Sequence, residues 1–116
     1  MSDRDLMNLY AEFVAWQNYF STRLARCEGI ELERATKVRR AEAFAAAASE
    51  QKSVTIKKAE AQQDEDVIRA NDRLVAVKAD KKALALYMDS LDRAANLLSR
   101  ELTRRLAYVN RPDRVP

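Results

Sequence analysis

The chain has 116 residues, room for one domain, and 21 basic side chains against 18 acidic ones leave a formal net charge of only +3. That total does not by itself argue for a nucleic-acid partner, so the distribution of charge has to carry any such case. The absence of His removes the commonest general base and metal ligand near neutral pH, and no glycine-rich phosphate loop is present.

Hydrophobic residues make up 47% of the chain, but 20 of those 55 are Ala, so a compact globule would be thinly filled. A thin, elongated bundle, or an oligomer sharing its apolar seams, fits better. One Gly and two Pro, both Pro in the last five residues, point with the 34% charge to an all-α chain. A lone Cys27 excludes an internal disulfide and suits a reducing cytoplasm, where it reads as a small buried hydrophobe. No apolar run approaches the roughly 20 residues of a membrane span. The start, Met1-Ser-Asp-Arg-Asp, does not read as a signal peptide. The expectation is a soluble intracellular protein.

The first predicted helix covers 3–28, capped by Ser2 or Asp3 and stopped by Gly29, the only glycine. Its stripe is Leu6, Leu9, Phe13, Trp16 and Phe20. Aromatics at this spacing read as core. Base stacking or an oligomer contact is the sharper alternative, with Tyr19 its best candidate. The second helix is expected over 30–61, with Leu32, Ala35, Val38, Ala41, Ala45 and Ala48 at heptad steps and a frayed or kinked section at 49–56. A turn at 62–65 follows, with Asp64 and Asp66 as candidate caps.

The third predicted helix, 66–108, is the element the others cover. Val67, Ala70, Leu74, Val77, Leu84, Met88, Leu91, Ala95, Leu98 and Leu102 follow steps of three and four, and only Lys81 interrupts. Such steps average 3.5 residues, the period of a left-handed supercoil. The expected fold is therefore an all-α, elongated, three-helix antiparallel coiled-coil or helical hairpin. Helix one would lie against the Leu84–Leu102 half of helix three. Residues 1–109 would form one helical domain, and 110–116, with Pro112 and Pro116, a mobile tail.

Acidic pairs such as Glu31/Glu33 sit at predicted helix starts, where carboxylates are simply favourable, so no catalytic or metal site is expected and no cofactor. Charge clustering is more informative. Arg34, Lys37, Arg39 and Arg40 crowd seven residues with no acid among them, and Lys57 and Lys58 follow on the same predicted helix. Basic stripes along helices track a phosphate backbone by releasing counterions. The plainer reading is a solvated face.

Three pieces, in order, give a resemblance: Asn8-Leu9-Tyr10 leading to Trp16; Ala35-Thr36-Lys37-Val38-Arg39; and Asp64-Glu65-Asp66-Val67-Ile68 opening a long last helix with Tyr87-Met88 midway and a basic end. Together they resemble the UvsY recombination mediators of T-even phages and their relatives, over roughly residues 8 to 105. Between helices two and three the chain departs from that pattern, being Ala-rich with Ser and Thr. The resemblance implies a ring-like homo-oligomer in the cytoplasm of a phage-infected bacterium. Such a protein binds single-stranded DNA, helps displace single-strand binding protein and loads a RecA-like recombinase. It assigns DNA contact to Lys37 and Arg39; Arg40 and Arg34 are added in support by charge, and Lys57 and Lys58 more distantly. The competing reading is a structural or adaptor coiled coil of a phage that binds a protein and never touches nucleic acid.

Overall fold

The structure is a computed structural model that describes residues 1–50 and 53–109. Among these residues it is all-α: α1 (Asp3–Ala48), α2 (Val54–Gln63) and α3 (Glu65–Val109), with no strand. The tail expected at 110–116 lies outside the described residues, as do residues 51 and 52 of the expected kink. Among the described residues, no helix is long and apolar enough to cross a membrane.

Gly29 does not stop the first helix. α1 runs through it as one element of 46 residues, so the predicted break between 28 and 30 is corrected. A glycine C-cap needs the left-handed backbone, and among the described residues none has a positive φ. Gly29 instead costs about 1 kcal/mol of helix propensity, which the strong helix formers on both sides offset. The real interruption comes after Ala48, within the section predicted to fray, and helix resumes at Val54.

The starts of α1 and α3 follow the predicted chemistry, whereas α2 begins after Ser53 without a side-chain cap. Ser2 Oγ accepts the backbone N–H of Asp5 at 3.1 Å, satisfying one of the free amides at the start of α1. Asp64 ends α2 and caps α3, its Oδ1 accepting the N–H groups of Asp66 (2.9 Å) and Val67 (3.4 Å). The expected four-residue turn narrows to this one residue.

Contacts group the chain into two compact units, Met1–Arg23 with the stretch from Leu84 onward, and Leu24–Ala83. In the first unit α1 and α3 are antiparallel. Arg105 Nη1 reaches Asp3 Oδ1 at 2.9 Å and the Met1 carbonyl at 3.0 Å, while Gln17 Nε2 donates to Asp92 Oδ1 at 2.7 Å. The rings of Phe20 and Tyr87 stack at 5.9 Å. This is the predicted pairing of the aromatic stripe with the Leu-rich half of the last helix. Leu6, Leu84 and Ala95 are buried there, but Trp16, expected in the core, is 48% exposed. Gln17 takes the half-buried position instead.

In the second unit the later part of α1 lies antiparallel to α2 and the start of α3. Lys81 Nζ pairs with Glu31 Oε2 at 2.9 Å, and Arg34 Nη1 donates to the Arg73 carbonyl at 2.7 Å. Gln62 reaches Glu42 at 3.2 Å, and the Ser49 hydroxyl donates to Glu60. Val38, Ala61, Val67 and Val77 are buried, Val67 completely. Leu32, which the predicted second helix placed on its seam, is 69% exposed.

Burial shows why. On α3 every predicted seam residue is buried or half-buried, Lys81 included. On α1, with further half-buried residues beside it, one unbroken series of half-buried and buried positions follows the same steps of three and four: Leu6, Tyr10, Phe13, Gln17, Phe20, Leu24, then Cys27, Glu31, Arg34, Val38, Ala41 and Ala45. Three of these are polar, and each is satisfied by α3, so the register is fixed by hydrogen bonds as well as by shape.

Candidate nucleic-acid interface

The basic residues that the sequence clusters are separated by the helix that carries them. An α-helix turns about 100° per residue. Arg34 therefore falls on the seam, where it is half-buried and its Nη1 donates to the Arg73 carbonyl. Lys37 and Arg40 lie about 60° apart and share one flank, whereas Lys37 and Arg39 lie about 160° apart and face nearly opposite ways. The structure thus brings Lys37 and Arg40 together, and it does not bring Arg39 to them.

Lys37, Arg39 and Arg40 are all exposed. Lys37 Nζ pairs with Glu33 at 3.1 Å, both side chains more than half exposed. An exposed pair of this spacing is worth only about 0.3–0.5 kcal/mol, so a phosphate competes for the ammonium at little cost. Arg39 Nη2 makes a long 3.4 Å bond to Thr36 Oγ1. On α2, Lys57 is half-buried and Lys58 exposed.

The register also identifies a cation that the sequence pattern alone does not single out. In the first unit Leu9, Trp16 and Tyr87, each immediately before a seam residue, line one groove. By the same placement Lys37 on α1 and Arg69 and Arg73 on α3, together with the acids Glu33, Asp66 and Asp80, each immediately before a seam residue, lie along the corresponding flank of the second unit. Arg73 is exposed, and the Arg34 bond to its carbonyl holds its backbone against α1. Its signal in the sequence is its place before Leu74, visible only once the heptad register is carried across both helices.

Tyr19, the candidate for base stacking, is half exposed but its ring is already engaged. It meets Trp16 and Phe20 edge-on at 5.7 and 5.4 Å, and Arg23 lies over it at 5.8 Å while donating to its hydroxyl at 3.0 Å. At the basic end of α3, Arg104 and Arg105 are paired with carboxylates. Glu101 accepts bonds from Arg104 (2.6 Å) and Arg105 (3.0 Å), and these guanidinium bonds pull its carboxyl down to about 2. Bonding to Asp3 and Glu101 in turn raises Arg105, and bonding to Glu101 raises Arg104. Lys81 is likewise raised, first by its hydrogen bond to Glu31.

Among the described residues, no group of three or more His, Cys, Asp or Glu is placed to hold a metal ion. No protein-family model, curated protein or solved structure matches this chain.

Proposed function

We propose that the chain is a non-enzymatic recombination mediator of a bacteriophage. In this reading it binds single-stranded DNA and helps load a RecA-like recombinase in place of single-strand binding protein, working as a ring-like coiled-coil homo-oligomer in the cytoplasm of the infected host. The reading rests on the exposure of Lys37, Arg40 and Arg73, which helical rotation and register assign to one flank of the helical pair. The motif resemblance around Lys37 points the same way. One such flank is a weak site for a phosphate backbone. Repeated around an oligomer, weak sites on one strand add to a strong one, because each later contact is intramolecular.

The direct test is anisotropy of a labelled single-stranded oligonucleotide with the variants Lys37→Ala, Arg39→Ala, Arg40→Ala and Arg73→Ala, each checked for helicity. Lys37→Ala, Arg40→Ala and Arg73→Ala weaken binding together, and Arg39→Ala weakens it less. Equal affinity for wild type and the triple variant sinks the assignment.

A second reading is an adaptor coiled coil that binds only protein. It is favoured by one specific feature, the apolar groove of the first unit, and it predicts that none of the four substitutions changes partner binding.

A further inference from the structure

In the first unit α1 and α3 leave an open groove of about 520 Å³ between Leu9, Phe13, Trp16 and Phe20 on one side and Tyr87 and Leu91 on the other. Half of its lining residues are aromatic, and its one charged member is Glu12. No cation lines it, so it does not suit a phosphate backbone. Aromatic enrichment with charge depletion is the composition of a protein–protein interface core. We infer that this groove is the face on which a second copy of the same chain docks, helix pair against helix pair.

Two arguments select that occupant. The first is area. Trp16 and Tyr19 are each 48% exposed and Tyr87 62%. At roughly 200 Å² for an aromatic side chain, the three leave about 300 Å² uncovered per copy, or about 600 Å² for two. Leu97, seven residues beyond Ser90 of the groove wall and 65% exposed, adds to this. A standard interface buries about 1,200–2,000 Å² in total, of which a little over half is apolar. These few side chains therefore come close to the apolar part of such an interface.

The second is permanence. Among the described residues, the large hydrophobic side chains left exposed outnumber the buried hydrophobic ones, fifteen to seven. A partner that comes and goes would leave Trp16 and Tyr87 in water whenever it was absent. A second copy is present whenever the chain is, and in a two-fold contact each residue is used twice. On α1 and α3 the residues immediately before the seam (Leu9, Trp16, Tyr87) extend the apolar stripe beyond two positions per heptad. That wider stripe is what helices of a larger bundle carry.

This inference deepens the homo-oligomer part of the proposed function by naming its face, and its test uses no DNA. Trp16 is the only Trp, so its emission reports on the groove directly. The purified full chain is followed by sedimentation and by Trp fluorescence over a dilution series. The expected result is a mass of at least two chains, with blue-shifted, quencher-shielded Trp16 emission that turns red as the mass falls on dilution. Tyr87→Glu and, separately, Leu97→Glu should bring the mass to one chain with helicity retained, while Leu86→Glu, outside the groove, leaves it unchanged. A monomer with solvent-exposed Trp16 at tens of micromolar overturns the inference. So does an oligomer whose Trp16 emission does not follow its mass, or one that survives both groove variants. A monomer that still binds single-stranded DNA would remove this face while leaving the DNA reading in place.

Discussion

Replacing Gly29 by Ala tests the continuity of α1 through the sign of its effect. Gly29 is exposed within the helix, its φ is not positive, and a Cβ built on it meets nothing within 4 Å. Nothing is lost on adding the methyl, and the backbone entropy that glycine surrenders on folding is reduced, so the gain is the interior propensity difference, about 0.8–1 kcal/mol. For a chain of 116 residues that raises Tm by about 3–6 °C. If Gly29 instead ended a helix in the left-handed conformation, Ala would cost about 1–2 kcal/mol and lower Tm by a similar margin or more. The two accounts differ by at least about 2 kcal/mol, well outside the error of thermal unfolding followed by circular dichroism. Protein concentration must be held fixed between variants, since assembly makes Tm concentration-dependent. A fall in Tm would refute the unbroken helix, and with it the continuous seam that α1 carries from Leu6 to Ala45.

Other consequences concern the core and the ion pairs. Val67→Ala removes methyl groups from a fully buried side chain and should cost about 2 kcal/mol in chemical denaturation, whereas Val75→Ala, 64% exposed, should stay within about 0.5 kcal/mol. Because Glu101 is held at about 2, below its ordinary 4.5, its contribution to stability is fully present above pH 4.5 and is lost as pH falls toward 2. Glu101→Gln should flatten that part of the stability-versus-pH curve, and an unchanged acid limb would contradict the Arg104–Glu101–Arg105 cluster. The raised Lys81 has the opposite sign. Its contribution holds below its unfolded value of 10.5 and is lost as pH rises through the folded one, so Lys81→Met should remove a destabilisation that wild type shows at strongly alkaline pH.

The last helix is legible in the sequence because its seam is almost wholly apolar, and the apparent interruption at Lys81 is a seam position whose charge is met by Glu31. The first helix is harder to read for the same reason inverted. Gln17, Glu31 and Arg34 occupy seam positions with polar side chains, so apolar spacing drifts to Trp16 and Leu32, and a lone glycine looks like a stop. Partners for those polar residues lie some forty to seventy-five positions away in the chain, and no local pattern reveals them. The cations show the converse. Four basic residues within seven look like one patch in a string of letters, but helical rotation sends Arg34 to the seam and Arg39 to the far side, while recruiting Arg73 from another helix.

Contact between exposed cations on one helical flank and a single-stranded backbone, as proposed, is read out by the salt dependence of binding. Affinity of the full chain for a labelled oligothymidine should fall linearly on a log–log plot with salt. Lys37→Ala and Arg40→Ala should each reduce the slope by about 0.7 for every copy in contact with the strand, the share of one phosphate per copy left without its cation. Binding absent at low salt, or a slope that both substitutions leave unchanged, would contradict the account.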